Sequence, residues 1–150
     1  MAGPSSVPVF ERFFRSVAQL KVDKSDVKRF REFVDEIVDG IAVAGRNSAR
    51  WNGRDVIAPM DLPITKGLQE SIHAFKAIDQ EVSLDAILEQ LTRRPPLDVT
   101  YSDEAEAKLP LVAGGLGVAL ARTFPILEEG LVNPQTKHWD RATRIFDLLL

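Results

Sequence analysis

From Val27 to Trp51 the sequence holds a single rhythm. Val27, Phe30, Val34, Ile37, Ile41 and Ala44 step by three and four, and Phe33 and Val38 widen the stripe. That is the period of one helix face. Asp23, with Asp26 three residues on, supplies the start, and Asn52-Gly53 supplies the stop, a glycine just past the last periodic residue. A helix of about 28 residues is roughly 42 Å long, well beyond the usual length in a globular domain. Its apolar face needs cover along its whole length, so the rest of the chain must fold over it. At 150 residues the chain fits one domain, 1–150, with a sizeable core.

The flanking segments are short and of the same kind. Val9, Phe10, Phe13, Phe14 and Val17 predict an amphipathic helix of about three turns, followed by the extended stretch Leu20-Lys21-Val22-Asp23. After Gly53, Val56-Ile57 is an extended pair too short for an independent strand, and Pro59 suits the first turn of a further helix. Leu62, Ile64, Leu68, Ile72 and Phe75 carry that helix to about Ala77. The plan then recurs. Leu84, Ile87, Leu88 and Leu91 predict a short helix stopped at Arg93-Arg94-Pro95-Pro96. Leu97-Asp98-Val99-Thr100-Tyr101-Ser102-Asp103 matches Leu20 to Asp26 at four of seven positions, at a constant offset of 77. Thr100 and Asp103 then stand where Asp23 and Asp26 cap the first long helix. Ala105, Leu109, Val112, Leu116 and Leu120 predict a second one, in which Pro110 should introduce a kink or delay the start. A last amphipathic helix runs from about Pro134 to the end, with Trp139, Ile145, Phe146 and Leu149 as core candidates.

Short, long and short helices joined by two extended loops make the plan of the histone fold. Arg54-Asp55-Val56-Ile57-Ala58-Pro59-Met60-Asp61-Leu62 resembles the second-loop signature of histones, an arginine opening the loop and an aspartate seven residues later. Lys21-Val22-Asp23 resembles the basic–Val–cap pattern before the long helix of archaeal histones. The resemblance covers 7–77 well and 82–150 weakly, and is to bacterial proteins with two fused histone folds. It implies an all-α fold of tandem histone folds, first half 7–77 and second half 78–150, packed as an intramolecular handshake pseudo-dimer whose two long central helices cross antiparallel. It implies an ion pair between Arg54 and Asp61, since a guanidinium can bridge to that carboxylate and lock the loop onto the next helix. It also implies that Lys21 and Lys24 meet Thr136 and Lys137 at one end, while Asp98 and Thr100 meet Arg54 and Asp55 at the other. Several features depart from the pattern of histones that hold DNA: basic tails are absent, and Leu131 or a neighbour replaces the loop arginine in the second half. Val56 stands where those carry threonine, and Asp98 takes the place of Lys21 in the second half.

Charge bears on partners. The net charge is −3 and the isoelectric point about 5.4, which argues against tight coating of nucleic acid. Residues 1–77 carry twelve Lys/Arg against ten Asp/Glu, and residues 78–150 seven against twelve, so any DNA contact belongs to the first half. The absence of cysteine excludes thiolate catalysis, disulfides and Cys-based zinc sites. No signal-peptide pattern opens the chain, and no apolar run approaching the ~20 residues of a membrane span is read; the expected setting is cytoplasmic or nucleoid-associated.

No nucleophile–base pair is visible. His73 and His138 lack metal-ligand spacing and read as surface or satisfied histidines. Gly114-Gly115-Leu116-Gly117 lacks the Lys-Ser/Thr ending of a phosphate loop and reads as close helix packing. Phe10, Phe13, Phe14, Phe30 and Phe33 read as core rather than a base-stacking platform. The expected function is therefore non-enzymatic and without cofactor or metal. It is a histone-like protein with weak, sequence-independent binding of double-stranded DNA through Lys21, Lys24, Arg12, Arg15, Lys137 and Thr136. A protein-interaction scaffold that has lost DNA binding is the alternative, and an unrecognised small-ligand or enzymatic role the second. The internal pseudo-dimer predicts a monomer.

Overall fold

The computed structural model describes residues 6–94 and 98–150; the expected stop at Pro95-Pro96 and the repeat position Leu97 lie outside them. The protein is mostly helical. Its elements are α1 (Val7–Ala18), α2 (Lys24–Trp51), β1 (Val56–Ile57), a 3₁₀ turn (Pro59–Asp61), α3 (Lys66–Val82), α4 (Asp85–Leu91), β2 (Thr100–Tyr101), α5 (Asp103–Leu127) and α6 (Thr136–Leu149).

α5 is the axle. Every residue from Val112 to Val118 is buried, so this helix is apolar all round, as a helix must be when neighbours cover every side. α1, α3 and α4 pack against it, and α2 and α6 close the remaining sides. Its small residues set how close they come. A methyl group on Gly114 would collide with the Phe75 ring, one on Gly115 would lie 3.0 Å from the main-chain nitrogen of Ile72, and one on Gly117 would lie 3.0 Å from the ring of Phe13. The aromatic side chains of α1 are core. Phe10 and Phe14 pack on Phe30 of α2 at centroid distances of 5.5 and 5.4 Å, and Phe13 packs on Phe75 at 6.2 Å.

α2 begins with a reciprocal cap: Asp26 N–H donates to Asp23 Oδ1 (3.0 Å) and Asp23 N–H to Asp26 Oδ2 (2.9 Å). It ends at Asn52, and Gly53 takes a φ of 72° that suits glycine.

Several sequence expectations are corrected. Pro59 opens only the 3₁₀ turn; Pro63 interrupts the chain, and α3 starts at Lys66 with Thr65 Oγ1 accepting from Leu68 N–H (3.2 Å). α3 also runs on to Val82, across the boundary placed at 77/78. Val56-Ile57 is extended, as its sequence indicates, and does not stand alone: β1 pairs in parallel with β2, Val56 opposite Thr100 and Ile57 opposite Tyr101. Thr100 is therefore in a strand, and the cap of α5 is Ser102, whose Oγ accepts from Ala105 N–H (3.1 Å). Pro110 does not delay α5, which starts seven residues earlier and carries Pro125 as well.

α5 is also long and apolar enough to cross a membrane by length and composition, with a mean hydropathy of 1.5 over its most apolar stretch. Here that apolar surface is mostly covered by the other helices. Finally, α6 buries Trp139 and half-buries Phe146, whereas Ile145 and Leu149 face outward.

Candidate functional site

The two ends of the molecule are built by loops from opposite halves of the chain. At one end the loop before α2 lies beside the loop before α6: Lys21 N–H donates to the carbonyl of Val132 (2.7 Å). The first turns of the two helices are then tied together twice. Trp139 Nε1–H donates to Asp26 Oδ1 (2.8 Å), a buried bond, and Arg29 Nη2 donates to Thr136 Oγ1 (2.9 Å). Burial pushes the Asp26 carboxyl above the usual range, against the opposing pull of the Asp23 N–H and Trp139 hydrogen bonds.

Lys21, Lys24, Thr136 and Lys137 are all exposed at this end. Lys24 is the first residue of α2, and Thr136 and Lys137 open α6. Arg12 and Arg15 lie on the exposed face of α1, one to two turns before the loop. Arg29, one of a sequence cluster with Lys24, Lys28 and Arg31 that reads most simply as a solvated helix face, also belongs to this end. Its role follows from the meeting of α2 with α6.

The two helix starts differ. The carboxylate of Asp23 occupies that of α2. At α6, Gln135 N–H donates to His138 Nδ1 (2.8 Å), and no carboxylate caps the helix. His138 is buried and satisfied: Nδ1 accepts, so Nε2–H donates to Glu128 Oε1 (3.1 Å), and that bond holds the Glu128 carboxyl below its usual range. His73 is exposed. Among the described residues no three His, Asp or Glu side chains converge to hold a metal ion.

The opposite end pairs β1 with β2. Thr100 N–H donates to the carbonyl of Asp55 (3.2 Å), Ser102 N–H to that of Ile57 (2.9 Å), and Arg50 forms an ion pair with Asp98. Arg54 reaches Asp61 with both terminal nitrogens, at 2.6 and 2.8 Å. Ser48 Oγ (2.7 Å) and Ala58 N–H (2.8 Å) donate to the same carboxylate. The Arg54 guanidinium, ahead of the other donors, holds the buried Asp61 well below the usual carboxylate range. Arg94 adds ion pairs to Asp39 (2.8 Å) and Asp35 (3.4 Å) on α2. The cations at this end are thus largely neutralised, and those at the first end are not.

The comparisons assign the family. The model of DUF1931, described as a domain of unknown function, matches residues 10–147. Two relatives, both described as uncharacterized proteins of Aquifex aeolicus (strain VF5), are each 28% identical. The first match covers 77% of this chain and 68% of the relative, the second 79% and 76%. A crystal structure of a protein from Thermus thermophilus superimposes with a TM-score of 0.85 at 43% identity, over 96% of this chain and 97% of that one. A crystal structure of an Aquifex aeolicus protein does so with a TM-score of 0.84 at 25% identity, over 100% and 99%. Membership of the histone-fold family, expected from the Arg54–Asp61 loop, is overturned by this match to a separate family. The reason is physical: an arginine bridging to an aspartate seven residues on is a local way to lock a loop to the next turn, open to any helical fold. The chain belongs to the DUF1931 family.

Proposed function

We propose that this protein is a non-enzymatic helical module whose two halves pair internally, and that it holds the phosphate backbone of duplex DNA weakly and without regard to sequence. The observation that carries the reading is the meeting of the α2 and α6 helix starts at one end. Lys21, Lys24 and Lys137 are exposed around them, and no carboxylate caps α6. A helix N-terminus without a carboxylate cap, with ammonium groups nearby, is suited to an anion. The cross-pairing of loops at both ends, Lys21 with Val132 and β1 with β2, supports internal pairing of the halves.

Only a few phosphates can be neutralised there, so affinity should fall with salt at a slope of about −3 or shallower. The test is fluorescence anisotropy with a labelled duplex at about 20 and 150 mM salt. Binding at low salt that Lys21→Glu, Lys24→Glu removes is expected; a double variant that binds like wild type eliminates this site. The acidic overall balance and the exposure of Trp51 (90%) and Met60 (79%) favour a second reading, a protein-interaction scaffold. That reading takes the lead if no binding is seen at low salt.

A further inference from the structure

The C-terminal half of α6 presents an apolar surface that nothing in the fold uses. α6 docks on the body through Trp139, Ala142 and Phe146, with Phe146 edge-on to Phe33 of α2 (5.1 Å) and Trp139 on Phe124 of α5 (5.1 Å). On the outward side Leu148 is 86% exposed, Leu149 71% and Ile145 37%. Two grooves flank the last turn of the helix. One, of about 420 Å³, is floored by Leu68, Leu116, Ala119 and Phe146. The other, of about 330 Å³, runs along Ile37, Ile41 and Ala44 of α2 and is edged by Glu36 and Asp147.

Ile145 and Leu148 lie on one face of the helix, three residues apart, so this face can meet its own copy in an isologous contact. The charges agree. Arg144 sits on the outward stripe one turn before Leu148, and neither it nor Glu36 nor Asp147 has an ion-pair partner among the described residues. If two α6 helices lie antiparallel about a twofold axis passing between Ile145 and Phe146, Arg144 faces the partner's Asp147, and the reverse pair forms by symmetry. Ile145 then lies at the centre of the contact, and Leu148 of each helix packs beside the middle of the partner helix, level with the partner's Thr143.

We propose that the occupant of this surface is a second copy of the chain, making a twofold dimer through the C-terminal half of α6. This differs from the monomer expected from sequence. It leaves the phosphate-facing end free, because that end is at the start of α6 and this contact is at its finish. One helix face is at the small end of interface sizes, so dissociation in the micromolar range is expected.

Sedimentation equilibrium across about 5 to 500 µM protein tests it. Wild type should shift from monomer to dimer. Leu148→Asp, at a position too exposed to unfold the protein, should stay monomeric with an unchanged circular dichroism spectrum. Arg144→Asp should weaken the dimer about tenfold or more, and Arg144→Asp with Asp147→Arg should restore it. Wild type that remains monomeric at every concentration overturns the proposal. So does a dimer that survives Leu148→Asp, or a charge exchange that restores nothing.

Discussion

Four donors converge on the carboxylate of Asp61: both terminal nitrogens of Arg54, Ser48 Oγ and the Ala58 N–H. Only 1% of that side chain is exposed, so its ionised form is held by the protein and not by water. The direction of its shift fixes the pH dependence. The folded-state value lies below the ordinary one, so the stabilisation is fully present above the unfolded value of about 3.9 and is lost as pH falls through the folded value. Asp61→Asn removes the charge but keeps the shape, and leaves a guanidinium without its partner. It should lower the unfolding free energy at neutral pH by about 2–3 kcal/mol, or the melting temperature by about 5–10 °C. The gap between variant and wild type should close as pH is taken from about 5 toward 2. A gap that is constant with pH would mean that Asp61 acts by packing alone. This pair could be proposed from sequence because both partners lie in one local motif. The Asp26–Trp139 and Arg29–Thr136 bonds could not, since each joins residues more than a hundred positions apart.

The helices show which kinds of pattern carry information. α2 was legible from end to end, because its polar and apolar faces alternate at the helical period and both of its ends are marked by local chemistry. α3 was misplaced at its start, because Pro59 suits a first turn but opens only a 3₁₀ turn, and the helix itself waits for the Thr65 cap beyond Pro63. The start of α5 was readable but its cap was not: Thr100 was drawn into a strand by a partner, β1, that lies 44 residues away. The surroundings of α5 were hidden for a different reason. A helix apolar on every side has no face that points to a particular neighbour, and only the glycines hinted at close contact.

That hint makes a prediction at this scale. Gly114→Ala places a methyl group inside the van der Waals envelope of the Phe75 ring, so α3 must move off α5 or Phe75 must leave its position. A cost of about 1–3 kcal/mol is expected from overpacking, despite the gain in helix propensity. Gly40→Ala, in α2 with open space around it, should instead stabilise by about 0.5–1 kcal/mol. Chemical denaturation of the two variants checks both signs, and a stabilised Gly114→Ala would show that the α3–α5 packing is looser than described.

For the molecule as a whole, the division into halves follows chain order, while the packing runs across it. α5 belongs to the second half, yet its most extensive cover is α3 of the first, with α1 and α2 adding to it. α6, at the end of the second half, rests on α5 and is joined to α2 of the first through Trp139–Asp26 and Phe146–Phe33. Each half therefore takes most of its cover from the other. The chain passes from one to the other at Ser83, the left-handed residue that closes α3 (φ 59°) and the natural place for a cut. Residues 1–83 alone would leave Phe13, Ile72 and Phe75 without α5, and residues 84–150 alone would leave a helix of membrane-like hydropathy bare on most sides. The first fragment should be largely unfolded, and the second should aggregate or associate nonspecifically. Mixed from denaturant in equal amounts, the two should refold into a complex with the circular dichroism and single cooperative transition of the intact chain, because the lost contacts are intermolecular equivalents of the native ones. Its stability should depend on protein concentration, as dissociation now accompanies unfolding. A fragment that folds cooperatively by itself would mean that its half carries its own core, and the cross-pairing of loops at the two ends would then be an interface between domains and not the condition for either to fold.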